Sequence, residues 1–248
     1  AGGNNYDEIA RAIANDASGN VYITGTFRSS SLSFGAITLA NADTTGNSWD
    51  IFIAKYDSNG ALLWARSEVG TGTQWEFAND ISTDSTGNVY VTGRYNGLTC
   101  TFGTTTLTNT QGGDPLRFDI FIVKYASDGS VQWATSGGGI QNDQANSITT
   151  DASGNVYVTG SFTSPTIAFG STTLTNSGTA NADMYIVKYS PNGSVIWANT
   201  AEGDLHDDVI SICTDTYGSV YITGSFESPT ITFGSTTLTN SGSGYYDM

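Results

Sequence analysis

The chain has 248 residues, of which 12% are charged and 38% hydrophobic, so it lacks the Ala, Glu, Lys and Leu content of a coiled coil or helical bundle. No apolar run approaches the roughly 18 residues of a membrane helix, and aromatics at 12% of the chain argue against disorder. A formal charge of −15 disfavours nucleic acid and anionic lipid as partners and leaves cations, neutral glycans and other proteins. What remains is an all-β protein with a hydroxyl-rich surface. No secretory leader is visible, and a chain opening on Ala1 reads as processed, excised or a fragment.

Internal repetition dominates the chain. The run Gly19-Asn20-Val21-Tyr22-Ile23-Thr24-Gly25 returns at 87–93, at 154–160 and at 218–224. Its closing glycines, Gly25, Gly93, Gly160 and Gly224, lie 68, 67 and 64 residues apart. A Phe-Gly pair follows in each copy, at Phe34, Phe102, Phe169 and Phe233. A third marker, Phe52-Ile53-Ala54-Lys55-Tyr56, returns at 121–125 and 185–189 and leads each time to a tryptophan, Trp64, Trp133 or Trp197. The fourth copy of that marker would begin at Asp247.

Each repeat predicts four strands rich in β-branched and aromatic residues. In the third repeat they fall at 145–150, 155–162, 184–189 and 194–199. A short Gly-containing turn joins the first two. Asn59-Gly60, Asp128-Gly129 and Asn192-Gly193 join the last two as hairpin signals. The long insert between the second and third strands carries a small hairpin of its own, 166–169 with 172–175. Four antiparallel strands per repeat of about 66 residues predict a β-propeller. The second strand does not alternate cleanly between apolar and polar residues, as expected where both faces of a blade are covered. The blades are expected at 1–66, 67–135 and 136–200, with a partial fourth at 201–248 that belongs to a larger ring.

The Asp-x-x-Gly-Asn-Val-Tyr-Val-Thr-Gly core, the Phe-Gly-Ser-Thr-Thr-Leu-Thr-Asn insert and the Asp-x-[Phe/Tyr]-Ile-x-Lys-Tyr ending resemble the SBBP β-propeller repeats, across essentially the whole chain. The resemblance implies a bacterial protein, of a type seen in Bacteroidota, that is secreted or displayed on the cell surface. It implies no catalytic activity. The core is also similar to that of NHL-type propellers, which implies that the first strand of each blade lines the central channel.

Antiparallel order places the short, similar turns on one face and the long inserts on the other, upper face, where binding is expected. Acids recur there in register. Glu8, Glu76, Asp143 and Asp207 precede the first strands, and Asp50, Asp119, Asp183 and Asp247 open the third strands. Their ordinary use is to hold loop amides; their functional use is to bind a ligand or a cation, calcium being the candidate at the second set. No other cofactor is expected. Trp49 and Trp75 break the repeat on the same face, as do Tyr245 and Tyr246, and an exposed aromatic there can stack on a sugar or anchor a protein.

Other candidates read as framework. The turn acids Asp16, Asp84, Asp151 and Asp215 lack the ligand set of a calcium loop and cap backbone amides instead. Lys55, Lys124 and Lys188 share one repeat position, as a framework ion would and a catalytic lysine would not. The single His206 has no triad or metal-ligand spacing around it. Cys100 reads as a small buried hydrophobe. The expectation is a non-enzymatic interaction or adhesion module on a secreted or cell-surface protein. Its partners would be other surface or secreted proteins, glycans or the secretion machinery, with no nucleic acid and no membrane insertion. The alternatives are a structural subunit whose fourth blade is completed in trans, and the propeller of a polysaccharide-active enzyme.

Overall fold

The computed structural model describes all residues except 1, 4, 5, 71–73, 112, 113, 115, 179, 180, 243–246 and 248. A short β1 (Gly2–Gly3) precedes the first blade, whose elements are β2 (Glu8–Asn15), β3 (Val21–Phe27), an insert hairpin β4 (Ser31–Phe34) and β5 (Ile37–Ala40), then β6 (Asp50–Tyr56) and β7 (Leu62–Gly70). The second repeat supplies β8 (Glu76–Thr83), β9 (Val89–Tyr95), β10 (Thr99–Phe102), β11 (Thr105–Thr108), β12 (Asp119–Tyr125) and β13 (Val131–Gly138). The third supplies β14 (Asp143–Thr150), β15 (Val156–Phe162), β16 (Thr166–Phe169), β17 (Thr172–Thr175), β18 (Asp183–Tyr189) and β19 (Val195–Thr200). The fourth supplies β20 (Asp207–Thr214), β21 (Val220–Phe226), β22 (Thr230–Phe233) and β23 (Thr236–Thr239).

All blade pairings are antiparallel, in the order first, second, third, fourth strand, so the chain folds as β-propeller blades. The first strands are innermost: β2 packs beside β8, β8 beside β14, and β14 beside β20. Each carries a β-bulge, at the register shifts Ala10/Ala12, Ala78/Asp80, Ala145/Ser147 and Val209/Ser211. A bulge re-aims its extra residue. Here it turns Asn79 and Asn146 toward the next blade, where their amides donate to Ala145 O at 2.8 Å and Val209 O at 2.6 Å. The glycine that closes the repeat core lies opposite this bulge. A Cβ on Gly93 would stand 1.8 Å from the Phe77 carbonyl oxygen, and one on Gly160 2.0 Å from that of Gln144. No other residue fits there.

The middle strands are buried on both faces. All seven residues of β15 are buried, which explains the absence of alternation. Between blades 1 and 2, Tyr22, Ile51 and Ile53 pack against Ile81, Val91, Val123 and Tyr125. Tyr90, Ile120 and Ile122 meet Ile148, Val158 and Val187 at the next junction.

The insert hairpins depart from expectation. Their strands form where the sequence places them, but each hairpin joins the sheet of the preceding blade. β10 pairs with the end of β7, Cys100 opposite Gly70, and β16 pairs with the end of β13, Gly137 opposite Phe169. Glu202 bridges Thr232 in the same way, and β1 holds β4 with Gly3 opposite Leu32. Blade 1 therefore runs as a six-stranded sheet from β2 outward to β11. The sheets do not stop at the repeat boundaries near 66 and 135.

Candidate functional site on the upper face

The repeated acids lie where the strands meet the upper face, but most of them are buried. Asp50, Glu76, Asp119, Asp143, Asp183 and Asp207 are at most 2% exposed. Each acid that opens a third strand receives the backbone amide that follows the insert hairpin: Ala42 on Asp50 at 2.8 Å, Thr110 on Asp119 at 2.7 Å, Ser177 on Asp183 at 2.7 Å and Ser241 on Asp247 at 2.6 Å. The acids of the inner strands accept a serine hydroxyl. Ser29 donates to Glu8, Ser164 to Asp143 at 2.9 Å and Ser228 to Asp207 at 2.8 Å. The exception is Glu76, because Gly97 occupies the serine position of that repeat. Its Oε1 is buried without a hydrogen bond, as is Oδ1 of Asp50.

These acids face one another across blade junctions. Burial raises Glu76 well above the ordinary carboxylate range, and the charge of Asp50 adds to it. Burial raises Asp50 to about 6 and Asp119 to about 6. It raises Asp143 to about 7, with Asp119 contributing. Of the two uses expected for these acids, their hydrogen bonds follow the ordinary one: the side chains are turned inward and hold the loop amides and hydroxyls that seat the inserts. Among the described residues no group of three or more His, Cys, Asp and Glu side chains gathers to hold a metal ion. Two carboxylates fall short of the six to eight oxygens calcium takes.

The aromatics behave differently. Trp49 and Trp75 form a parallel bridge at the junction of blades 1 and 2, and the Trp75 indole donates to Asn47 O at 2.9 Å. Phe77 lies among them, with ring centroids 6.0 Å from Trp49, 6.4 Å from Trp75 and 6.0 Å from Phe118. Arg28 stacks over Tyr6 and Trp49 at 5.5 and 6.0 Å. Arg94 stacks over Phe77 and Phe118 at 5.3 and 4.8 Å. Trp75 is 38% exposed. Tyr245 and Tyr246 lie outside the described residues.

Phe77, Phe118, Arg28 and Arg94 were missed by a search for repeated residues. Phe118 shares its repeat position with Trp49, whereas the signal of Phe77 and Arg94 is departure from the repeat. Phe77 stands where the other copies have Ile9, Gln144 and Asp208, and Arg94 where they have Thr26, Ser161 and Ser225. The result is a patch of aromatic and guanidinium groups that the blade framework does not require.

The SBBP family, a β-propeller repeat, matches residues 132–161, which hold β14 and most of β15 and their flanks. The chain carries the SBBP repeat. It is also similar to an uncharacterized WD repeat-containing protein, L264, of Acanthamoeba polyphaga mimivirus, at 29% identity over 74% of this chain and 15% of that protein. A regulatory protein of Caulobacter vibrioides, FlaEY, is 30% identical over 45% of this chain and 11% of its own length. The chain thus spans a minor part of the relatives it matches. No helix among the described residues is long and apolar enough to cross a membrane.

Proposed function

We propose that this propeller is a non-enzymatic interaction module of a secreted or cell-surface protein, binding a surface protein or a glycan in adhesion. The observation that carries the reading is the aromatic patch on the upper face, in which the exposed Trp75 and its neighbour Trp49 rest on Phe77 and the buried Phe118. Ring faces offered on a rigid scaffold supply contact area at low entropic cost. The acids repeat in register and are buried, which does not suit a single catalytic carboxylate pair. The test is an array of glycans and secreted proteins probed with the wild type and with Trp75→Ala. Binding lost in the variant supports the reading. Product release from a polysaccharide, or binding indifferent to Trp75, overturns it.

A further inference from the structure

A pocket of the upper face lies over blades 2 to 4. It has a volume of about 170 Å³, and its wall holds Arg94, His206, the Asp143 carboxyl and the amides and hydroxyls of Asn142, Gln144, Ser161 and Thr163. The pocket wall also includes Ala182, at the position that Trp49 and Phe118 hold in earlier repeats. A small side chain there leaves room that an aromatic would fill.

Arg94 is the permanently charged group of this wall. Its guanidinium carbon lies 5.3 Å from the Phe77 ring centroid and 4.8 Å from that of Phe118, and those rings adjoin each other at 6.0 Å, so both back one flank of the guanidinium and restrain it. One hydrogen bond reaches Gln144 Oε1 at 2.8 Å. Gln144 is itself oriented by its Nε2, which donates to Ser161 Oγ at 3.1 Å. The Nε of Arg94 is buried without an acceptor. Among the described residues no carboxylate lies within ion-pair distance of Arg94, although the chain has 23 acidic residues to 8 basic ones. An arginine largely removed from water costs stability unless an anion or a full set of acceptors meets it. Ring faces meet part of that cost. Beside Arg94 the wall offers hydroxyls and amides, Thr163 Oγ1 donating to Asn142 O at 2.7 Å with Asn142 exposed at the rim, while the Asp143 carboxyl is turned away, 1% exposed and bonded by Ser164 Oγ and the Gly139 amide.

The geometry points to a binding site for a carboxylate-bearing sugar, a hexuronate unit of an acidic glycan. Its carboxylate would take the free edge of the Arg94 guanidinium, and its hydroxyls the Asn142, Ser161 and Thr163 rim. A carboxylate matches a restrained guanidinium in charge and in two-point geometry. The volume admits one such ring and excludes a longer chain from entering bodily. This assignment deepens the interaction reading, since it names a ligand class on the same face, and it rests on that reading for its biological use.

The experiment is calorimetric titration of the 248-residue chain with glucuronate, galacturonate, glucose and N-acetylglutamate. Uronate binding with no response to glucose is the expected result. Arg94→Gln should abolish it, and Arg94→Lys, which keeps the charge and the stack but not the fork, should weaken it about tenfold or more. Melting temperatures of both variants near the wild-type value show that the loss is local. Tyr217→Ala, in an exposed turn of the opposite face, should bind uronate as the wild type does, and the wider interaction reading is judged separately, by the array with Trp75→Ala. The assignment is overturned if uronate does not bind at millimolar concentration, if Arg94→Gln binds unchanged, or if N-acetylglutamate binds better than the sugar acids, which would point to an acidic peptide.

Discussion

Trp64 in blade 1 donates its indole N–H to the backbone carbonyl of Ser127 in blade 2, at 3.1 Å. Lys55 donates to the same oxygen at 2.9 Å while lying 5.0 Å above the Tyr22 ring. The next junction repeats the arrangement, with Trp133 and Lys124 both on Pro191 O at 3.0 and 3.2 Å. The turn they grasp closes on a glycine at positive φ, and the tryptophan covers it. A Cβ on Gly129 would lie 3.1 Å from Trp64 Cδ2, and one on Gly193 2.9 Å from Trp133 Cδ2. Tyrosine, lysine, tryptophan and glycine thus form a latch at each of the first two junctions, on the face opposite the inserts.

The latch predicts an ordered series of costs. Trp133→Ala should destabilise the chain by about 2–3 kcal/mol, below the ~3–5 of a fully buried tryptophan because this ring is half-buried. Trp133→Phe should lose about 1 kcal/mol, the hydrogen bond alone. Trp197→Ala should cost less than Trp133→Ala, because Trp197 meets no such turn among the described residues. Urea unfolding midpoints check the order.

Gly97→Ser should raise stability by about 1 kcal/mol, since it restores to Glu76 the hydroxyl donor its counterparts have. The added Cβ comes 3.0 Å from Thr99 O, so a small backbone adjustment accompanies the gain. A melting temperature below that of the wild type would show that crowding wins.

The buried acids set a pH dependence. Asp50, Glu76, Asp119, Asp143, Asp183 and Asp207 are all raised, chiefly by burial: Asp50 and Asp119 to about 6, Asp143 to about 7, and Glu76 well above the ordinary range. The folded chain keeps protons that the unfolded chain releases above about pH 4. Stability should therefore fall as pH rises from about 4 through about 7. Burial also works against Asp84, but bonds from Asn88, Thr86 and Tyr90 outweigh it and leave its acidity below the usual value, as similar bonds do for Asp16 and Asp151. Those groups stabilise above about pH 4 and fail as pH falls further. Denaturant midpoints should peak near about pH 4–5. Asp50→Asn should flatten the slope, because an amide there can donate to the orphaned oxygen of Glu76.

Thiol titration tests the seating of the inserts. Cys100 is buried at the core between blades 1 and 2, and burial pushes its thiol well up, whereas Cys213 is exposed. One thiol should react with Ellman's reagent in the native chain and two in denaturant. Rapid reaction of both in the native state would mean that β10 does not stay docked.

Much of this fold is legible in the sequence because the repeat displays each strand several times. The expected hairpin at 166–169 and 172–175 matches β16 and β17 residue for residue. Asp16, Asp84 and Asp151 cap their turns, accepting the amides of Ser18, Thr86 and Ser153. The sheet that receives each insert was not legible. Pairing of Cys100 with Gly70 depends on how neighbouring blades sit, and a local pattern carries no such information. The two uses open to the upper-face acids could not be separated in the sequence for a related reason. An aspartate before a strand reads the same whether it faces solvent or, as Asp183 does, takes the amide and hydroxyl of Ser177. Arg94 and Phe77 stayed hidden because sameness between copies was the signal followed, and their content is difference.

The offset between repeat and sheet has a genetic consequence. Residues 99–108, encoded in the second copy, finish the outer edge of the sheet begun by the first. A crossover or duplication that adds one copy therefore adds a segment already shaped to clamp whatever copy lies before it. New blades arrive with their own fastener, and arrays of different length can arise without a new seam being invented.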